Sequence, residues 1–266
     1  MTGFQRDNWG ERARIGMFIV GSEAVPEAEW WAMAPPGVSV HAARVTARAP
    51  WAPWRADRSG VDLCDDLARG CRQFAAMRLA AVVIGHTSSS VVGGEGWDDA
   101  AMAAMHGILG DDVAITTNGR DTVAGLRAVG AARPFLVLPP WFGDGTVAAA
   151  VSYYSGQGFR PAGHLRHDAG EGWRHIAPQD LYAHGKGFAQ DVAALYGEIV
   201  ASCPAEADSV FIAGTGFRCV AVIEALERAL GRPVVTANQA SLWRCLRASG
   251  IQDAVPGYGR LLGLPG

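Results

Sequence analysis

The stretch Leu79-Ala-Ala-Val-Val-Ile-Gly-His-Thr-Ser-Ser-Ser90 limits what this chain can become more than any other segment. Its uncharged run of apolar and β-branched residues reads as a strand buried on both faces, which requires a layer of structure above and below it. The run stops at a glycine and a small, hydroxyl-rich turn, followed by Val-Val-Gly-Gly-Glu-Gly-Trp97. In open α/β sheets ligands bind at the carboxyl ends of strands, and successive N–H groups in such a turn, with the Thr87 and Ser88 hydroxyls, suit an anionic oxygen. His86, at the mouth of the turn, is the group best fitted to proton chemistry.

Strand, turn and helix signals then alternate along the chain. Arg14–Gly21 reads as a first strand, with Ser22 as a helix cap and Glu27 in the first helical turn. Glu23 therefore stands at a strand's carboxyl end, either favouring a helix N-terminus as any acid would or serving a site. Val38–Val45 is a second strand, and the loop from Trp51 to Ser59 carries Trp51 and Trp54 as a lid or as packing. Val61–Arg78 has helical apolar spacing that puts Cys64 and Cys71 in or beside a core stripe. Helices are predicted over Trp97–Leu109, Thr122–Val129 and Thr146–Gln157, and from Ala177 to about Cys203 with Pro178 early in the helix. Strands are predicted at Val113–Asn118, Arg133–Phe142 and, as an extended segment, Phe159–His167. Ser209-Val-Phe-Ile-Ala-Gly-Thr-Gly216 repeats the first device, followed by a helix over Phe217–Leu230, a strand at Pro233–Thr236 and a helix through Leu246. Two such series predict two similar α/β halves with parallel sheets, whose polar turns face a shared cleft.

Composition narrows the function. A chain of 266 residues, 49% hydrophobic and 18% charged, can bury a large core, and 34 glycines in an alanine-rich background favour close helix-to-strand packing. A net charge of −3 offers no electrostatic footprint for nucleic acid or an anionic membrane. No apolar run reaches membrane-spanning length, and Met1–Arg14 lacks the apolar core of a signal peptide, so a cytoplasmic protein is expected. The five cysteines form no CxxC pair, which argues against a disulfide framework or a structural zinc site. Neither GxGxxG after a first strand nor GxxxxGK[ST] occurs, and Gly143-Asp-Gly145 is an isolated turn. His164, His167, His175 and His184 do not match zinc spacings, so no metal is expected, although one of them converging with His86 and Glu23 stays open.

Several segments together resemble the maleate cis-trans isomerase and arylmalonate decarboxylase group of the aspartate/glutamate racemase superfamily. They are Ala34-Pro-Pro-Gly-Val-Ser-Val40, Gly85-His-Thr-Ser88, Ile115-Thr-Thr117, Pro139-Pro-Trp141, Ile212-Ala-Gly-Thr215, Val222 to Val235, Asn238-Gln239 and Gly257-Tyr-Gly-Arg-Leu-Leu262. The resemblance covers most of the chain. It implies two pseudo-symmetric Rossmann-like, flavodoxin-like domains with the active site between them, no cofactor, and proton transfer at carbon beside a carboxylate. The N-terminal half is expected over 1–118 with 238–266, and the second half over 119–237. In this family a cysteine on each of two strand ends commonly acts as base, acid or nucleophile. Here His86 and Gly214 take those positions, Glu23 takes that of a usual asparagine, and Trp141 that of a tyrosine. Cys203, before a proline, and Cys219, inside the following helix, do not replace the thiols.

Carboxylate and imidazole are the commonest acid/base pair near neutral pH. The expected catalytic residues are accordingly His86 and Glu23, each raising the proton affinity of the pair if they face each other. Thr87, Ser88, Trp141, Gly214 and Thr215 are expected to bind substrate, with Trp141, Phe142 and Trp30 as an aromatic wall. The predicted partner is a small carboxylate with an aromatic or apolar body, with a homo-oligomer left open. The leading function is cysteine-independent isomerisation or decarboxylation. Water activation by His86 and Glu23 in a hydrolase or hydratase is the alternative, and a non-catalytic small-molecule binder the reading of another class.

Overall fold

A computed structural model describes residues 8–266; the first seven positions of the Met1–Arg14 segment lie outside the described residues. The chain runs β1 (Ala13–Val20), α1 (Val25–Met33), β2 (Val38–Val45), α2 (Asp65–Ala75), β3 (Ala81–Ile84), α3 (Thr87–Gly93), α4 (Trp97–Leu109) and β4 (Ala114–Thr117). It continues through α5 (Asn118–Ala128), β5 (Pro134–Leu138), α6 (Asp144–Gly156), β6 (Gly163–Arg166), α7 (Val192–Ser202), β7 (Ser209–Ile212), α8 (Ile223–Leu230), β8 (Val234–Thr236) and α9 (Ala237–Ala248). The strands form two four-stranded sheets, β2-β1-β3-β4 and β6-β5-β7-β8, and every pairing within them is parallel. The same order of second, first, third and fourth strand recurs in each half, which is the pseudo-symmetry expected from the repeated strand-end signals.

Both faces of the first sheet are buried, and alternation along β1 sorts its side chains between two cores. Ile15, Met17 and Ile19 join Ala81 and Val83 of β3 in a core continuous with the second sheet, α1 and α9. Phe18 faces the other way with Val82 and Ile84, against α2, α4, Trp51 and Trp97. Close packing there needs glycine: a Cβ on Gly70 of α2 would stand 2.3 Å from the Phe18 ring. α9 packs on α5 and α1 and also touches β3, β4 and β8, so the last helix binds the halves together.

Several local expectations are corrected. Ser22 does not cap α1; the helix starts at Val25 after Ala24, with Pro26 in its first turn. The segment after β3 is not an open turn, because Thr87–Gly93 is helical, with His86 at the N-cap position. α5 begins at Asn118, directly after β4, because Thr117 accepts the Arg120 N–H and caps it. The helix predicted from Ala177 to Cys203 is split. Gly185 adopts a positive φ of 93°, the chain over 177–189 folds into tight turns, and Asp191 accepts from Ala193 and Ala194 N–H to start α7. After β7 the helix starts at Ile223 instead of Phe217, behind a short 3-10 turn at Val220–Val222. Among the described residues no helix is long and apolar enough to cross a membrane.

Candidate active site

In each sheet the first and third strands lie side by side and their crossovers leave in opposite directions, so a crevice opens beyond their carboxyl ends. Glu23 follows β1 and His86 follows β3 in one half; Trp141 follows β5 and Gly214 follows β7 in the other. The two crevices meet in one cavity of about 290 Å³. All seven expected site residues, Glu23, His86, Thr87, Ser88, Trp141, Gly214 and Thr215, line it. Its size suits a small molecule.

Glu23 is 6% exposed and has no ion-pair partner among the described residues. Burial pushes its pKa up to about 8, against the smaller opposing effects of the Thr215 hydroxyl and the Arg44 charge. Arg44 itself donates to the Glu23 main-chain carbonyl and pairs with Glu27, so its charge is spent elsewhere. The Glu23 carboxyl lies against Gly216, where an added Cβ would be 2.3 Å from Oε1, and only glycine admits it there. At neutral pH the group is a carboxylic acid holding its proton.

His86 is tuned the other way. Its ring stacks on the buried Trp51 with centroids 4.1 Å apart and planes 17° apart. Nδ1 lies 2.8 Å from Ser89 Oγ, which also accepts the Trp51 N–H. Burial lowers the imidazole pKa to about 3, so the ring is neutral. The mutual raising of proton affinity expected for a Glu23–His86 pair is not what the structure produces. No hydrogen bond or ion pair joins the two among the described residues, and desolvation moves both groups toward their neutral forms. The Trp51 loop serves as packing behind the imidazole.

The hydroxyls divide into engaged and available ones. Thr87 Oγ1 donates to Asn118 Oδ1 at 2.6 Å and accepts the Gly214 N–H at 3.2 Å, while Asn118 Nδ2 reaches Ala237 O and Ser241 Oγ. This residue therefore pins α3, α5, α9 and the end of β7 together. Thr215 Oγ1 lies within hydrogen-bond reach of Gly85 O and Glu23 Oε2 and orients the acid. Ser88 lines the cavity, and among the described residues its hydroxyl has no such engagement. Replacing Thr87 with valine, nearly the same shape, would leave Asn118 Oδ1 and the Gly214 N–H buried without this partner, at about 1–3 kcal/mol for each group. Chemical denaturation of Thr87→Val is expected to show that loss; a change under about 0.5 kcal/mol would mean that the pin is unimportant.

Two further carboxyls hold the halves in register. Buried Glu29 accepts from Cys219 N–H, Val220 N–H and Asn238 Nδ2, and Asn238 Nδ2 also reaches Thr215 O. Asp98 accepts from Ser90, Thr117 and Tyr153, tying α4 to α3, the end of β4 and α6. Trp30 is buried in the core and does not line the cavity, whereas Trp141 and Phe142 do. His167 bonds Glu198 at the end of β6, and no three His, Cys, Asp or Glu side chains are grouped to hold a metal among the described residues. None of the five cysteines lines the cavity, and burial raises the Cys219 thiol far above its usual range.

Val20, Ser22, Gln179, Tyr182 and Ala183 also line the cavity and are not expected from the sequence. The last three arrive from the turns over 177–189 that were read as helix. The glycine pair at 185 and 187 was the signal that could have flagged a loop there.

Residues 57–262 match a family model described as arylmalonate decarboxylase. A search of curated proteins gives no significant sequence match. Among solved structures, a maleate isomerase from Pseudomonas putida superposes with a TM-score of 0.76 at 19% identity, covering 94% of this chain and 98% of that one. An unliganded arylmalonate decarboxylase gives 0.72 at 22% identity, with 94% and 98% covered. A Nocardia farcinica maleate cis-trans isomerase variant, with a covalently bound succinylcysteine intermediate, gives 0.68 at 21% identity over 94% and 98%. At these identities the likeness is one of fold.

Proposed function

The chain belongs to the arylmalonate decarboxylase family, and on that premise we propose that it decarboxylates a small carboxylic acid by cysteine-independent proton transfer, with Glu23 as the acid. The observation that carries this reading is the protonation pattern of the cavity. Glu23 holds a proton at neutral pH, His86 is neutral, and among the described residues no lysine, arginine or cysteine lines the site. A loaded acid without an ionised base or thiolate fits a reaction whose protein step is the delivery of a proton to carbon. It fits cis-trans isomerisation less well: the Nocardia farcinica isomerase carries its intermediate on a cysteine, and this cavity has none.

In the proposed step the bond between the α-carbon and one carboxyl group breaks. Carbon dioxide leaves, and the electron pair stays on the α-carbon, delocalised into the remaining carboxyl group as an enediolate. Glu23 then gives its proton to that carbon and is left as a carboxylate, which solvent reprotonates. Buried as it is, the ionised form is disfavoured, which drives reloading. Ser89 Oγ accepts the Trp51 N–H and lies 2.8 Å from His86 Nδ1; in the proposed state its own hydrogen is directed to Nδ1, which puts the ring hydrogen on Nε2. A neutral imidazole N–H then donates to the enediolate oxygen as its charge grows, joined by Ser88. Trp141 and Phe142 exclude water from the carbanionic centre and favour a substrate with an aromatic or apolar body.

The reaction is tested by incubating the protein with a panel of malonates, enedioates and keto acids in deuterated, 18O-labelled water and following products by NMR and mass spectrometry. Loss of carbon dioxide with one solvent deuterium on the new C–H is expected. Solvent oxygen in the product would replace this reading with water activation. Ligand-dependent thermal stabilisation without conversion would make the chain a binding protein.

A further inference from the structure

The turns over 177–189 bring Tyr182 to the cavity wall, and the state of its hydroxyl is unusual. Pro178–Asp180 form a 3-10 turn, Leu181 buries its side chain, and Lys186 N–H returns to Leu181 O at 3.0 Å. Gln190 fastens the segment to the second half, donating to Gly187 O and Gly216 O and accepting the Arg218 N–H. Tyr182 is thereby held over the site, its ring edge-on to Trp141 with centroids 4.9 Å apart and planes at 83°. Gly187 gives it room: a Cβ there would lie 2.5 Å from the ring and 2.9 Å from the hydroxyl.

The Tyr182 hydroxyl is buried and makes no hydrogen bond. Two other buried side-chain atoms among the described residues share that condition, Asp121 Oδ2 and Asn238 Oδ1. Both are acceptors on groups bonded through their other polar atom, Asp121 to Thr116 and Asn238 to Glu29 and Thr215. Tyr182 alone has its whole polar function unpaired. A buried donor without an acceptor is rarer and costlier than an acceptor with a spare lone pair. Packing has been built around it nonetheless, from Gly187 and Trp141.

We propose that Tyr182 is a specificity-determining residue, whose hydroxyl donates to an oxygen of the bound carboxylate from the second half of the molecule. His86 and Ser88 would serve the same ligand from the first. The proposal rests on reading the cavity as a carboxylate site. The chemistry of the walls favours it: with no lysine or arginine lining the cavity among the described residues, neutral O–H and N–H donors are the groups there to hold anionic oxygens. Burial and the nearby Glu23 raise the tyrosine pKa, so the group stays a donor throughout the physiological range.

Tyr182→Phe removes one oxygen and keeps the ring that packs against Trp141 and Gly187. Calorimetric titration of wild type and variant with phenylmalonate and phenylacetate, alongside thermal unfolding without ligand, tests the assignment. The variant is expected to unfold at the wild-type temperature or above it, since an unpaired buried donor has been deleted, while its affinity for at least one probe falls about tenfold or more. Affinity within twofold of wild type for every probe that binds would overturn the role of Tyr182 and leave the carboxylate site standing. Failure of the wild type to bind either probe would overturn the carboxylate site, and this proposal with it.

Discussion

Replacing Glu23 with glutamine is expected to lower turnover by roughly a thousandfold, within the range of general acid catalysis, while the protein stays folded. Glutamine is neutral and close in shape to the protonated acid, so it fits against Gly216 and beside Thr215, but it has no proton to give. In the wild type, activity should hold level below a pKa of about 8 and fall as pH rises through it, because the acid form is consumed. Stability supplies an independent readout. Glu23 binds its proton more tightly folded, at about 8, than at its ordinary value of 4.5, so the folded state holds more protons between those values. The resulting stabilisation is complete below 4.5 and is lost as pH rises toward 8. Asp121, raised by burial to about 8, adds a second slope of the same sign. Glu23→Gln removes one slope, so the variant should gain on wild type by about 1.4 kcal/mol per pH unit across that window. Denaturation at several pH values checks this; a difference that stays flat from pH 5 to 8 would show that Glu23 is ionised in the folded protein.

His86→Ala should cost roughly a hundred- to a thousandfold in turnover, the effect of losing a donor aimed at developing charge. The neutral ring acts as a donor in the proposed step, so His86→Gln, which keeps a side-chain N–H, is expected to recover at least tenfold over alanine. Equal activity of the two variants would exclude the donor role and point to the imidazole as a base. The linkage runs opposite to that of Glu23. His86 titrates near 3 folded and 6.5 as its ordinary value, so below 6.5 the unfolded chain takes up a proton that the folded chain refuses. Its contribution is present above 6.5 and is lost as pH falls toward 3. Either variant should therefore resist acid better, relative to its own stability at pH 7, than wild type does.

Much of the architecture was legible because its signals are local. Uncharged runs such as Ala81–Ile84 and Ser209–Ile212 have few alternatives to a buried strand, and a glycine follows each within two residues. The helix Trp97–Leu109 was readable to the residue. The segments that misled are short or capped from a distance. Thr87–Gly93 is poor in helix formers and is held by Asn118, Gly214 and Asp98, none of which a local reading can see. The start of α8 is displaced by Glu29, which occupies the N–H groups of Cys219 and Val220 from the opposite half.

By itself the sequence determined which chemical groups stand at the strand ends, because strand termination is written in neighbouring residues. That was enough to bring Glu23 and His86 to one crevice, and to raise the expectation that the chemistry does without thiols. Only the tertiary structure decided their protonation, and it reversed the expected coupling: proton affinity depends on desolvation summed over Trp51, Gly216, Thr215 and other residues far apart in the chain. The same holds for the hydroxyls. Thr87 and Tyr182 are both polar groups beside the cavity, and what separates a fastened pin from an unpaired donor is the presence of Asn118 and Gly214 around one and of Trp141 and Gly187 around the other.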